Sequence, residues 1–172
     1  MLVFSTSITK GIDVKRFNNA YSHGTARFQR WHGGHVEYIK EYVKPHLRRE
    51  KPDTVVIQIG GNDLDRADRQ NPATITSIAN DIIETALTCR AHDVQHIFIG
   101  GVTVRRPRWT WDVCKDLNNA IEGQCTLYDF NFYSNSNIST YDLYDNQHLN
   151  NNGVSKMANN ILDSPFDRFG TN

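Results

Sequence analysis

Residues 54–63, TVVIQIGGND, begin with a β-branched and apolar run and end in two glycines, an amide and a carboxylate. The first six residues suit a strand that is buried on both faces. Gly60 and Gly61 permit backbone angles that other residues resist, so they predict a sharp turn. Asn62 and Asp63 then follow the carboxyl end of the strand, which is the edge where ligands bind in open α/β sheets. The stretch therefore predicts a buried strand that delivers two polar side chains to a candidate site.

Strand-like and helix-like segments alternate on both sides of this stretch. Further strands are predicted at 2–4, 26–31, 94–99 and 126–132, and helices near 14–21, 36–47, 73–92, 113–121 and 151–162. The segment from Asp63 to Pro72 is predicted to be a loop. Pro45 removes an N–H group from the second helix, so a kink or break is expected near Lys44. The alternation predicts an α/β fold with a parallel sheet covered by helices on both faces.

The overall composition limits the function classes. A chain of 172 residues fits a single domain, 1–172, and its net charge of zero argues against bulk attraction to nucleic acid or anionic membranes. A local basic patch that binds nucleic acid is still compatible with this net charge. No apolar run is long enough to span a bilayer. Three cysteines without metal-ligand spacing, and a start that lacks signal-peptide features, predict an intracellular protein. The oligomeric state is left open.

Three residues could form a nucleophilic triad. Ser7 lies where the first strand meets a turn, so its hydroxyl can project from the sheet; the alternative is a turn or N-cap serine. Asp145 and His148 lie three apart before the last helix. There the carboxylate can accept the imidazole Nδ1–H and leave Nε2 free to take a proton from a serine. The alternatives are a loop histidine with a capping aspartate, and a pair of metal ligands that lacks a third ligand.

Donors for an oxyanion come from the neighbouring turns. The Asn62 side-chain amide can donate beside the N–H groups of Ser7 and Gly33. Alternatively, Asn62 serves only the turn. Asp63 is expected to brace the loop. Gly34 and His35 are candidate substrate-binding residues, and a surface or packing role is the alternative for His35.

A cluster of arginine and tryptophan follows the fourth strand and is expected at the rim of the cleft. Such a cluster could grip an anionic or flat substrate group, or nucleic acid; the alternative is a solvated loop with its side-chain stems packed on tryptophan. The cluster comprises Arg105, Arg106, Arg108, Trp109 and Trp111. Arg105 and Trp109 are the candidate substrate-binding residues among them.

Together these motifs resemble the SGNH (GDSL-type) hydrolase family over almost the whole chain. The four blocks of that family match, in order, Ser7, Gly33 (or Gly34 after a one-residue shift), Asn62 within GGND, and the pair Asp145 and His148. Residues 33–47, GGHVEYIKEYVKPHL, are also similar to the esterase-type domains of metazoan retroelement proteins.

The resemblance implies a flavodoxin-like three-layer α/β/α sandwich with about five parallel strands. It implies a serine esterase of small acyl or acetyl esters in which Ser7 attacks, His148 acts as base and then acid, and Asp145 orients His148. The oxyanion hole comprises the Ser7 and Gly33 N–H groups and the Asn62 amide. Neither a metal nor an organic cofactor is implied.

One departure from the family pattern concerns the nucleophile turn. Ser5 and Thr6 stand where the family usually has glycine and aspartate. That aspartate supports the turn through hydrogen bonds, and Thr6 brings hydrogen bonds without charge. The departure motivates an alternative, a weakly active or inactive module of the same fold that binds nucleic acid or protein through the Arg/Trp loop.

Overall fold

Strands and helices alternate along the chain in the computed structural model, which describes residues 1–67, 71–105 and 111–166. The strands are β1 Leu2–Ser5, β2 Arg27–Arg30, β3 Thr54–Gln58, β4 His96–Gly100 and β5 Asn131–Tyr133. The helices are α1 Val14–Ala20, α2 Val36–Glu50, α3 Gly61–Arg66, α4 Pro72–Arg90, α5 Trp111–Tyr128 and α6 Asn151–Phe166. Short 3₁₀ turns occupy Ser7–Thr9 and Thr140–Asp142.

The five strands form one parallel sheet in the order β2-β1-β3-β4-β5. Strand β1 therefore lies between β2 and β3. Ser5, the last residue of β1, pairs with Arg30 on one side and Gln58 on the other. Because parallel strands end at a common edge, the loops after β1, β2 and β3 meet there, with the β1 loop in the middle.

Alternate side chains of each strand enter two separate cores, one on each face of the sheet. One face buries Phe4 and Ile57 against helices α2, α4 and α5. The other face buries Val3 and Val56 against residues of α1 and α6, including Phe17. These layers confirm the expected α/β/α sandwich with a five-stranded parallel sheet. Strands that are buried on both faces need a helical layer on each face.

The predicted loop after Asp63 is wrong at its start, because helix α3 begins at Gly61. Gly60 has a φ of 102°, a left-handed conformation that a glycine adopts without strain. Its carbonyl then accepts bonds from the N–H groups of Asp63 and Leu64. Burial of the Leu64 side chain, which is 0 % exposed, stabilises the short helix. Asn62 and Asp63 are thus fixed on a helical turn.

The predicted strand at 126–132 is also too long. Helix α5 continues to Tyr128, because its apolar face, which includes Ile121 and Cys125, remains buried to that point. Asp129 then takes a left-handed φ of 53° and ends the helix. Only Asn131–Tyr133 pairs with β4.

Helix α2 remains helical on both sides of Pro45, so the break expected there does not form. Proline lacks the N–H that would bond one turn back, a loss that alone weakens the helix. Buried Ile39, Val43 and Leu47 hold the helix on the sheet and offset that loss.

All three cysteines are free and buried, and burial raises each of their pKa values to about 12. None of the helices in the described segments is both long enough and apolar enough to cross a membrane.

Candidate active site

Ser7 lies half-buried at the start of the 3₁₀ turn that follows β1. Its carbonyl accepts a hydrogen bond from Lys10 N at 3.1 Å, which closes the turn. The Ser5 and Thr9 hydroxyls, on either side of Ser7, form a buried hydrogen bond of 2.6 Å. Arg30 Nε, on the adjacent strand, donates to Thr9 Oγ1 at 3.2 Å. The turn that presents Ser7 is therefore supported by two hydroxyls and a guanidinium.

Thr6, at the position of the family aspartate, is buried with 1 % exposure. It lines a cavity of about 10 Å³ together with Gln58, Gly61 and Arg105. In place of a carboxylate, the chain therefore has a buried threonine, while the Ser5–Thr9 bond ties the turn together.

Asn62 is buried on helix α3, and both ends of its side-chain amide are hydrogen-bonded. Nδ2 donates to the Gly34 carbonyl at 2.9 Å, which ties the loop after β3 to the loop after β2. Oδ1 accepts from Arg105 Nη2 at 3.1 Å. An amide nitrogen carries two hydrogens, so a second N–H remains to donate to an oxyanion.

Gly33 and Gly34 form the turn after β2. Gly33 has a φ of 68°, and a Cβ there would meet no atom within 4 Å, so its surroundings are open. A Cβ on Gly34 would lie 2.9 Å from Trp31 Cβ and 3.1 Å from the Trp31 carbonyl. Gly34 therefore lets the loop fold tightly enough for its carbonyl to reach Asn62.

Asp63 joins its turn to the start of helix α2. Oδ1 accepts from Val36 N at 3.0 Å and lies 3.3 Å from His35 Nδ1. Burial raises the pKa of this carboxyl above its ordinary value. Oδ2 is buried and has no hydrogen-bond partner among the described residues. These contacts match the expectation that Asp63 braces its loop. They also place the His35 ring beside the Asp63 carboxylate.

Asp145 and His148 form a closely hydrogen-bonded pair in the loop before α6. Asp145 Oδ2 lies 2.7 Å from His148 Nδ1, and Oδ1 accepts from the backbone N–H groups of Gln147 and His148 at 2.7 and 2.6 Å. The bond from His148 and these backbone bonds lower the pKa of Asp145 to about 2. An ionised carboxylate on Nδ1 favours the tautomer that has a proton there and leaves Nε2 unprotonated.

Aromatic contacts connect this loop to the Ser7 turn. The Tyr144 ring stacks on His148 with centroids 5.8 Å apart and an interplanar angle of 15°. Lys10 Nζ lies 5.5 Å from the centroid of the same ring. A groove of about 420 Å³ runs beside them and is lined by Ser7, Lys10, Tyr144 and residues at the start of α6, including Val154. The groove therefore joins the candidate nucleophile to the loop that carries the candidate base.

Ser7 and His148, both within the described residues, are not hydrogen-bonded to each other. Catalytic hydrogen bonds often tighten only when substrate binds. The approach of His148 Nε2 to Ser7 Oγ stays a prediction.

Arg105 is buried with 3 % exposure, although a position at the rim of the cleft was expected. It contacts Asn62 and Asp65 in the protein interior. Arg106, Arg108 and Trp109 lie outside the described residues, and Trp111 is the first residue of α5. Substrate binding by Arg105 and Trp109 stays a prediction.

Sequence reasoning missed the contacts of Tyr144, Lys10 and Asp65. Each depends on a long-range or loop geometry that carries no periodic signal. The immediate proximity of Tyr144 to the Asp145–His148 motif was the sole hint in the sequence.

Across residues 1–67, 71–105 and 111–166, no group of three His, Cys, Asp or Glu side chains could hold a metal ion.

Comparison with solved structures finds the same fold in several proteins. Esterase EstA from Pseudoalteromonas sp. is 13 % identical, with a TM-score of 0.77 and 99 % of each chain covered. A lipase/acylhydrolase from Enterococcus faecalis is 18 % identical, with a TM-score of 0.73 and 97 % of this chain and 95 % of that chain covered. Est24, a carbohydrate acetylesterase from Sinorhizobium meliloti, is 14 % identical, with a TM-score of 0.73 and 94 % and 95 % covered. At these identities the likeness concerns the fold.

A search of curated proteins gave no significant match. The model of one protein family, described as GDSL-like lipase/acylhydrolase, matches residues 3–161. Those residues span the stretch from Ser7 to His148. The chain therefore belongs to the GDSL-like lipase/acylhydrolase family.

Proposed function

We propose that this chain is a serine esterase that hydrolyses small acyl or acetyl esters. The observation that carries the proposal is the 2.7 Å contact between Asp145 Oδ2 and His148 Nδ1, in a loop that shares a groove with Ser7. Family membership supports the same chemistry, since lipases and acylhydrolases cleave acyl bonds.

The reaction begins when Ser7 Oγ attacks the ester carbonyl and His148 Nε2 takes the hydroxyl proton. Asp145 stabilises the imidazolium that forms and remains ionised itself. The tetrahedral oxyanion accepts hydrogen bonds from Ser7 N–H, Gly33 N–H and the second Nδ2–H of Asn62. His148 then gives its proton to the departing alcohol, which leaves an acyl group on Ser7. Water, activated by His148, hydrolyses this acyl-enzyme.

Geometry supports this arrangement of donors. Ser7 follows β1, the strand between β2 and β3, so its turn lies between the Gly33 loop and the Asn62 turn. The bond from Asn62 to the Gly34 carbonyl holds those two loops together beside it. The proposed substrate is a small ester that reaches Ser7 from the groove.

Fluorophosphonate labelling followed by site mapping tests the proposal most directly. An activated serine should form a phosphonyl adduct at Ser7, and prior heat denaturation should prevent it. Ser5, Thr6, Ser7 and Thr9 all lie in the tryptic peptide that ends at Lys10, so fragmentation must locate the adduct. A folded protein that is not labelled at Ser7 would remove the serine mechanism and favour the non-catalytic alternative.

Asn62→Ala should lower kcat by roughly 100- to 1,000-fold, the scale measured for removing one oxyanion donor. KM should change little, because this bond strengthens as charge develops in the transition state. Steady-state hydrolysis of 4-nitrophenyl acetate gives both constants. Asn19→Ala, an exposed change on α1, is the matched control and should behave as the parent does. Parent-like kcat in Asn62→Ala would remove Asn62 from the oxyanion hole.

A further inference from the structure

Arg105 is a buried cation packed against the turn that carries Asn62. Its Nη2 donates to Asn62 Oδ1 at 3.1 Å, and its Nη1 donates to Asp65 Oδ2 at 2.6 Å. Only 3 % of the Arg105 side chain is exposed, and 13 % of the Asp65 side chain. One guanidinium therefore joins an amide and a carboxylate that lie three residues apart on helix α3.

Gly61 provides the space for this guanidinium. A Cβ at Gly61 would lie 2.8 Å from Arg105 Nη2 and 3.3 Å from Cζ. The φ of Gly61 lies outside the left-handed range, so its backbone would accept alanine. Gly61 thus permits the close approach of the Arg105 side chain, whereas the preceding Gly60 permits a left-handed backbone conformation.

The chemistry of arginine fixes the direction in which the Asn62 amide points. A guanidinium has five donors and no acceptor, so it can face the amide oxygen and never the amide nitrogen. Asn62 Nδ2 consequently points away from Arg105, toward the Gly34 carbonyl and the loop after β2. A charged donor on Oδ1 also polarises the amide, which makes its N–H groups stronger donors.

We propose that Arg105 is a positioning residue that orients and polarises the Asn62 amide for oxyanion binding, and that Asp65 holds Arg105 in place. The proposal rests on the esterase function above. This role acts through Asn62 and differs from the direct substrate binding predicted for Arg105, because the guanidinium is buried and bonded to the Asn62 side chain.

Two variants test the role kinetically. Arg105→Met removes the donor, and Gly61→Ala displaces it while every other side chain is kept. Both should lower kcat by roughly 10- to 100-fold, the scale of a misplaced catalytic group, with little change in KM. Gly123→Ala on α5, where a Cβ would meet no atom within 4 Å, is the matched control for Gly61→Ala. Parent-like kcat in both variants would overturn the proposal.

A double-mutant cycle separates positioning from general structural support. In an Asn62→Ala background the Arg105 changes should cost less than about twofold, because the group they position is already absent. Losses that multiply independently would overturn the proposal. Arg105→Met also removes the ion pair with Asp65, and that variant could fail to fold for this reason. In that case the cycle of Gly61→Ala with Asn62→Ala still distinguishes coupled losses in kcat from independent ones. A flexible side-chain end can yield to a new Cβ, so that variant should fold.

Side-chain amide NMR tests the positioning without turnover. The Asn62 NH₂ pair is assigned by its disappearance in Asn62→Ala, and it should shift and broaden in Arg105→Met and Gly61→Ala but not in Gly123→Ala. An unchanged pair in both variants would overturn the proposal. If the parent is active and the variants are unaffected, Arg105 has no positioning role, and the proposed esterase function still stands. Absence of both labelling and turnover in the parent would instead remove the esterase, and with it any catalytic role for Arg105.

Discussion

Ser7→Ala should lower the kcat for 4-nitrophenyl acetate by roughly 10³- to 10⁶-fold, the range seen when a serine nucleophile is removed from a triad. The change deletes only Oγ, which makes no hydrogen bond in the described part of the chain. The backbone N–H and the bond from Lys10 to the Ser7 carbonyl remain. The fold should therefore persist, and its circular dichroism and unfolding midpoint should match those of the parent.

The control for this change is Ser22→Ala, an exposed serine in the turn before β2. It should retain full activity. Burst kinetics add a second measurement, since an acyl-enzyme that accumulates in the parent should disappear in Ser7→Ala. Saturation kinetics matter as well, because exposed lysines and histidines hydrolyse activated esters slowly without saturation. A Ser7→Ala protein with parent-like kcat/KM would show that Ser7 is not the nucleophile.

Asp145→Asn should have the second-largest effect, a loss of roughly 10³- to 10⁴-fold in kcat. The amide oxygen of asparagine can still accept from the Gln147 and His148 N–H groups, so the loop keeps its shape. The amide nitrogen would then face His148 Nδ1 and favour the tautomer protonated at Nε2. In that form His148 cannot take the proton from Ser7. Asp163→Asn, an exposed change on α6 that removes the same charge, should leave kcat unaltered.

The pKa of Asp145 gives this prediction a pH dependence. The His148 bond lowers the pKa of the folded-state carboxyl to about 2, below its ordinary value of 3.8. Ionised Asp145 therefore stabilises the folded state above pH 3.8, and that stabilisation is lost as the pH falls toward about 2. The acid-unfolding curve of Asp145→Asn should lack this contribution. The acidic limb of the parent's pH–rate profile should likewise contain no ionisation of Asp145.

Two segments show why some element boundaries could not be predicted. The run at 126–128 has strand-like residues, yet α5 keeps it helical because Cys125 and Ile121 are buried on the helix's inner face. Pro45 interrupts a local pattern, but α2 continues because its apolar residues pack on the sheet. In both cases burial against distant residues outweighs local propensity.

The candidate site shows the same contrast between local and long-range contacts. Asp145 and His148 lie three residues apart, so their pairing needs only a local turn and could be predicted from spacing. The bond between Asn62 and Gly34 joins residues 28 positions apart, and that between Asn62 and Arg105 joins residues 43 apart. Such contacts depend on strand order, which a single sequence leaves open.

The sequence by itself determined the alternating α/β pattern, the buried strand at 54–59 and the order of the four motif blocks, because these follow from periodicity and residue chemistry along the chain. Only the tertiary structure decided that β1 lies between β2 and β3, which puts Ser7 between the Gly33 loop and the Asn62 turn. It also decided that Arg105 is buried against that turn rather than exposed at the rim of the cleft. The physical reason is that strand pairing and core packing bring together groups whose separation in sequence carries no local signal.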